Sequence, residues 1–212
     1  MAIVANGDNF LRALASGEPV PGGGAAAALC GALAAALCEM AANLTLGKKQ
    51  GEEGVKELAA AANQLRLEQE SLMEADAAAF QRLSEIRKLP QTNGEGQIRR
   101  GKLLEDALAG ASEPPLCVMA AAAESVSLLE RLEKVAVPGI KSDLGVSALL
   151  GRAALLGAAL NLRANTKLFK DREKADTFNE KAEKLEIFAE KAEALYKRAL
   201  ALTVRETEAK RP

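Results

Sequence analysis

The chain contains no histidine, so proton transfer near neutral pH falls to carboxylates, lysine or water. Two aspartates stand where such chemistry could be built. Asp76 interrupts an apolar stripe of Val55, Leu58, Ala62, Leu65, Gln69, Leu72, Ala79 and Leu83, whose spacing puts all of them on one helix face. A carboxylate on a buried face is costly unless it is paired or hydrogen-bonded, and desolvation lifts its pKa toward the range useful to a general base. It could equally cap or bond a neighbouring helix. Asp143 starts a second line: at a period of 3.6 residues Asp143, Ser147, Ala154, Gly157, Asn161 and Asn165 fall close together on a helix. This line is small and polar among Leu144, Leu149, Leu155, Leu156 and Leu160. It either admits another helix at close range or borders a ligand cavity. Lys48, in the run Gly47-Lys48-Lys49-Gln50-Gly51, is a solvated basic turn or a partner for an anionic ligand. With no histidine and no cysteines at ligand spacing, no metal site is expected.

The element that must position these groups lies between Pro19 and Lys49. Pro19, Pro21 and the glycines Gly22, Gly23 and Gly24 form a tight turn, and the alanine-rich run that follows reads as a helix ending near Gly47. Between Ala25 and Met40 its one charge is Glu39, so it has no polar face and must be buried or span a membrane. The uninterrupted apolar run, Ala25 to Cys38, is 14 residues, roughly 21 Å, whereas a bilayer core needs about 20 residues. The expectation is the central helix of a soluble bundle, with Gly24, Ala28, Gly31 and Ala35 letting neighbours come close.

Composition narrows the class. The 212 residues suffice for one domain with a sizeable core, taken as 1–212. Aromatics are 3% and tryptophan is absent, so the core must be leucine and alanine. A net charge of −1 points to neither nucleic acid nor a membrane surface as partner. Cys30, Cys38 and Cys117 are odd in number and read as reduced, buried thiols of a cytoplasmic protein.

In chain order, residues 1–18 predict a short helix with Asn6 or Asp8 as N-cap. A long amphipathic helix is expected over 52–88, closed by Leu89-Pro90 and a turn at Gln91-Thr92-Asn93-Gly94. A helix over 95–110 is broken by Glu113-Pro114-Pro115, and another runs over 116–135. After Val137-Pro138-Gly139, Ser142 is the expected N-cap of a helix reaching about Lys170. A last helix over 173–205 carries a heptad-like seam, Phe178, Leu185, Phe188, Ala192, Leu195, Ala199 and Leu202, suited to packing and to oligomerisation. No segment alternates like a strand. The fold class is therefore all-α, a multi-helical bundle around a buried Ala/Gly-rich central helix.

Several stretches resemble the cyclodeaminase/cyclohydrolase family in its order and spacing. They are PVPGGGAAAALCGALAAAL at 19–37, MAANLTLGKK at 40–49, EADAAAF at 74–80, the paired arginines Arg99-Arg100 after Leu89-Pro90, PPLCV at 114–118 and GIKSDLGVSALLGRAALLGAALNLRAN at 139–165. Together they cover nearly the whole chain. One departure stands out: the family usually has serine after the three glycines, where this chain has Ala25.

The resemblance implies an all-helical protomer that works as a homodimer on folate one-carbon units, with no cofactor beyond the tetrahydrofolate substrate. The reaction it implies is hydrolysis of 5,10-methenyltetrahydrofolate to 10-formyltetrahydrofolate. The bridge carbon is already electrophilic, so the enzyme need supply a positioned water, a proton acceptor and a proton donor. In that reading Asp143 and Asp76 divide the roles of general base and orienting group, and Lys48 pairs with the substrate's glutamate carboxylates or donates a proton. Asn161 and Asn165 meet the pterin, Gly22 to Gly24 present backbone N–H groups at a helix N-terminus, and Pro21 stands with them among the substrate-binding residues. A cyclodeaminase, releasing ammonia from formiminotetrahydrofolate, uses the same groups. A non-catalytic folate-binding or scaffold protein is the third reading, in which both aspartates are ordinary caps.

Overall fold

The computed structural model describes residues 3–48, 53–90 and 93–209. Its elements are α1 (Ile3–Leu14), α2 (Gly23–Lys48), α3 (Glu53–Lys88), α4 (Glu95–Val135), α5 (Lys141–Thr166) and α6 (Arg172–Ala209), with no strand among the described residues. The all-α expectation is met. Helices α3, α2, α5 and α6 lie side by side in that order, and α4 crosses behind all four.

Helix α2 is central because it can be approached from every side it buries. Ala28, Ala34, Ala35, Cys38, Ala41 and Ala42 are fully enclosed. Short side chains let α5 run antiparallel against it: Ser147 Oγ donates to the Ala34 carbonyl at 2.7 Å, and a Cβ built on Gly157 would lie 3.3 Å from that of Ala27. The middle of the small polar line therefore serves helix approach. On the α3 side, Gly31 leaves room for the amide of Gln69, which is fully buried and donates from Nε2 to the Val118 carbonyl at 3.0 Å. The α3 stripe from Val55 to Leu83 faces the core as its spacing requires. Helices α2 and α5 are each long and apolar enough to cross a bilayer by length and composition, and each packs against three other helices.

The face of α2 and α5 opposite α4 carries no covering element among the described residues. It exposes Leu33, Met40 and Leu44 from α2 and Val146, Leu149 and Leu160 from α5. The seam of α6 is instead occupied within the chain, against α5 and α4, leaving Leu202 exposed at its end.

Four boundaries differ from the sequence expectation. Asn6 and Asp8 fall inside α1 rather than capping it. Helix α5 begins at Lys141 with Ile140 at the N-cap and no side-chain cap, so Ser142 lies in the first turn, and the helix ends at Thr166. The expected break at Pro114-Pro115 is absent: α4 is one helix of 41 residues. Proline lacks the N–H that would reach back four residues, so Pro114 and Pro115 free the carbonyls of Gly110 and Ala111. Gly110 is exposed to water, and the Ala111 carbonyl accepts from Asn165 Nδ2 at 2.7 Å. A side chain from α5 thus replaces a lost backbone donor, and α4 continues. Lys49, Gln50 and Gly51 of the basic turn, and Gln91 and Thr92, lie outside the described residues.

Candidate functional site

A cavity of about 290 Å³ opens where the start of α2 meets α3, α4 and the end of α5. Gly22, Gly23 and Gly24 form one wall, with Pro19 and Val20 before them; Pro21 is not in the lining. The Gly22 carbonyl accepts the first helical bond from the Ala26 N–H at 3.0 Å, so Pro21 stands just outside α2 and acts through its fixed φ on the entry of the chain.

Asp76 comes from α3 and faces this wall. A Cβ on Gly24 would lie 2.4 Å from the Asp76 Cγ, so the carboxylate occupies space that only glycine leaves open. It accepts the backbone N–H of Ala25, where an anion is favoured at a helix N-terminus. Burial pushes the Asp76 carboxyl above the ordinary 3.8, and the Ala25 N–H opposes this more weakly. Asp76 is thus both a cap for α2 and a wall of the cavity. Its anchor at position 25 is a backbone group, so the absence of a serine hydroxyl there leaves the anchor intact.

Asn161 and Asn165 line the same cavity from α5. Asn161 Nδ2 donates to the Gly157 carbonyl at 2.8 Å and Asn165 Nδ2 to Ala111. Each amide spends one of its two N–H groups on backbone, which leaves its second N–H and its Oδ1 for a ligand. One carboxylate and two amides thus face the cavity: the carboxylate favours a cationic group, and each amide can both accept and donate. The sequence reading missed Phe80, which lines the cavity and is exposed. It stands one turn after Asp76 on the same face, and its ring can cover a flat heterocycle.

Asp143 and Lys48 do not join this group within one protomer. Asp143 is 18 residues before Asn161 on α5, about 27 Å along the axis, and Lys48 is about 37 Å from Gly23 on α2. Both stand at the other end of the antiparallel pair, where the Val137 N–H reaches Thr45. Helical phase fixes direction, and rise separates the residues along the axis. A larger and more open depression of about 520 Å³ lies between α5 and α6. Its Arg152, Glu193 and Lys197 already pair with one another in solvent, and none of the candidate residues is there.

A family model described as formiminotransferase-cyclodeaminase matches residues 6–184. The methenyltetrahydrofolate cyclohydrolase of Methylorubrum extorquens is 34% identical over 172 residues, covering 80% of this chain and 83% of that protein. The formimidoyltransferase-cyclodeaminase of Mus musculus is 30% identical over 175 residues, 81% of this chain but 32% of that protein, so the chain spans about a third of it. In three dimensions the chain is similar to the formiminotetrahydrofolate cyclodeaminase of Thermotoga maritima. The TM-score is 0.81 at 28% identity, over 93% of this chain and 96% of that one.

Proposed function

The chain belongs to the formiminotransferase-cyclodeaminase family, and from that premise we propose that it hydrolyses 5,10-methenyltetrahydrofolate to 10-formyltetrahydrofolate. The observation that carries this reading is the Asp76 carboxyl, its pKa lifted by burial, in a cavity that also presents the amides of Asn161 and Asn165. The substrate's amidinium charge is attracted by Asp76, and its pterin N–H groups match the free oxygens of Asn161 and Asn165. A water held by Asp76 adds to the bridge carbon while the carboxylate takes its proton. The resulting carbinolamine expels N5, which receives the proton back from Asp76. The carbonyl forms at N10 as the hydroxyl proton leaves to solvent. One proton is released per turnover, and a carboxyl with a raised pKa is better suited to both transfers.

Similarity over most of the length of a stand-alone cyclohydrolase favours this over the cyclodeaminase, whose mammalian relatives are three times as long. The likeness to the Thermotoga maritima enzyme keeps ammonia release from formiminotetrahydrofolate as the second reading. The reading needs no cofactor besides the folate. The whole of 1–212 serves as one domain, and we place it in the cytoplasm as a homodimer apart from membrane and nucleic acid. Three free thiols, the near-neutral charge and the exposed apolar face of α2 and α5 support that placement. Purified protein should bleach methenyl absorbance faster than buffer. Ammonia release from the formimino substrate without methenyl loss would favour the second reading, and turnover of neither would leave a binding protein.

A further inference from the structure

We propose that Gln69 is a positioning residue for the proposed reaction: it locks the axial register of α2 against α3, and so holds the Asp76 carboxylate on the Ala25 N–H while that carboxylate takes and returns a proton. This rests on the function proposed for Asp76 and adds a residue that touches no substrate, since Gln69 is not part of the cavity lining.

The fold repeats the cavity layer two turns deeper, in closed form. Gly24 on α2, Asp76 on α3 and Ala111 on α4 border the cavity. Seven residues along each helix stand Gly31, Gln69 and Val118, about 10 Å away and on nearly the same faces. The step runs forward on α2 and α4 and backward on α3, the order of antiparallel neighbours. The contacts repeat as well. A Cβ on Gly24 would lie within 2.4 Å of three carboxylate atoms of Asp76, and one on Gly31 within 2.7 Å of three amide atoms of Gln69. In both layers α3 presses the polar end of a side chain into a notch that glycine leaves in α2.

A slide of one turn would carry Gln69 from Gly31 onto Ala28 or Ala35, both fully enclosed, whose methyl groups fill the space the amide needs. It would also part Nε2 from the Val118 carbonyl, which it reaches at 3.0 Å. Asp76 cannot supply this hold alone. It sits at the open end of α2 on one backbone N–H, and a hydrogen bond to a carboxylate weakens when the carboxylate is protonated. Its anchor is weakest at the moment it carries the proton. Gln69 has no charge to lose and is fully buried, so its grip is the same in both states.

The amide suits register better than stability. The Val118 carbonyl lies inside α4, where the N–H four residues on is its own partner, so it gains little from Gln69. Gln69 Oε1 is buried and meets no donor among the described residues, which lowers stability. An apolar side chain would avoid that loss but would not select one alignment. In paired helices a buried polar residue fixes register at a cost in stability.

The test pairs Q69A with G31A, which exchanges the amide and its notch for two alanines that pack without a lock. G31A alone should lower both Tm and kcat, because its methyl group meets the amide. Adding Q69A removes that clash and should restore Tm to within a few degrees of wild type. Turnover of methenyltetrahydrofolate should stay about 10- to 100-fold down in kcat, with KM changed less. In a D76N background the same pair should leave kcat unchanged within about two-fold, because Gln69 acts through Asp76. Wild-type turnover by Q69A/G31A, or an equal loss in both backgrounds, overturns the proposal. Amide hydrogen exchange gives a readout independent of turnover. The Ala25 N–H lies in the first turn of α2 without a helical acceptor, so its protection reports the bond to Asp76. That protection should fall about 10-fold or more in Q69A/G31A while the buried Ala41 amide keeps its own. Wild-type protection at Ala25 overturns the lock even where the folate assignment stands. If wild type turns over neither folate, the function reading fails and the exchange still decides the register. Should the paired variant not fold, Q69M, which keeps the length and removes both polar atoms, is held to the same outcomes.

Discussion

Replacing Gly24 by alanine probes the contact on which the cavity depends. The added Cβ would meet three atoms of the Asp76 carboxylate, the nearest at 2.1 Å. Ordinary packing contacts begin above 3 Å, so the group must retreat by about 1 Å. Rotation of the carboxylate gives no relief, because Cγ and Oδ2 are both at 2.4 Å. Either Asp76 changes rotamer and abandons the Ala25 N–H, or α2 and α3 separate. Overpacking of this kind costs about 1–3 kcal/mol, which lowers Tm by roughly 2–10 °C in a chain of this size. Folate turnover should fall by about 100-fold, the scale of a 1 Å misplacement. With Asp76 already alanine the obstacle is gone, and G24A should stabilise by up to about 1 kcal/mol through helix propensity. Thermal denaturation of the four proteins of this cycle gives the coupling, expected at about 1–4 kcal/mol against the few tenths of independent sites. Equal effects of G24A in both backgrounds would refute the contact.

Other perturbations follow from the same geometry. P115A restores a backbone donor to the Ala111 carbonyl and frees the Asn165 amide to turn. Tm should rise, because an interior helical proline costs about 3 kcal/mol, while KM for the folate rises several-fold with kcat little changed; a lower Tm with unchanged KM would contradict this. Asp76 titrates above its unfolded-state value, so its ionised form is the disfavoured one in the fold. Its contribution is complete below pH 3.8 and is lost as pH rises through the folded-state pKa. Wild-type stability relative to D76N should therefore fall with rising pH across that window, as read by Tm. The Cys38 thiol is pushed up to about 12 by burial, so iodoacetamide should modify it only when the chain is unfolded, as mass mapping will register.

Periodicity disclosed what periodicity controls. The α3 stripe and the enclosure of α2 follow from spacing and from a missing polar face, because a helix buries whatever side is apolar. The resemblance and the stripe together led to Asp76, Asn161 and Asn165, which do share a cavity. What spacing could not reveal depends on partners distant in sequence. Pro114-Pro115 looks like a helix end until Asn165, 54 residues away, supplies the Ala111 carbonyl with a donor. Gln69 sat unremarked in the stripe, although its full burial depends on Gly31 and on the Val118 carbonyl. Asp143 shares its helical phase with Asn161 and Asn165, but phase says nothing of the rise that separates it from them along α5. Phe80 was legible as the aromatic one turn beyond Asp76, a signal present in the sequence and not used.

If the Asp76 carboxylate, held between Gly24 and the cavity, moves the protons of the proposed reaction, its amide cannot replace it. Methenyl decay followed spectrophotometrically with D76N, an isosteric change that keeps the fold, tests it most directly. A loss of about 100- to 10,000-fold in kcat with an unaltered dichroism spectrum is expected; turnover at the wild-type rate would mean that another group carries the protons.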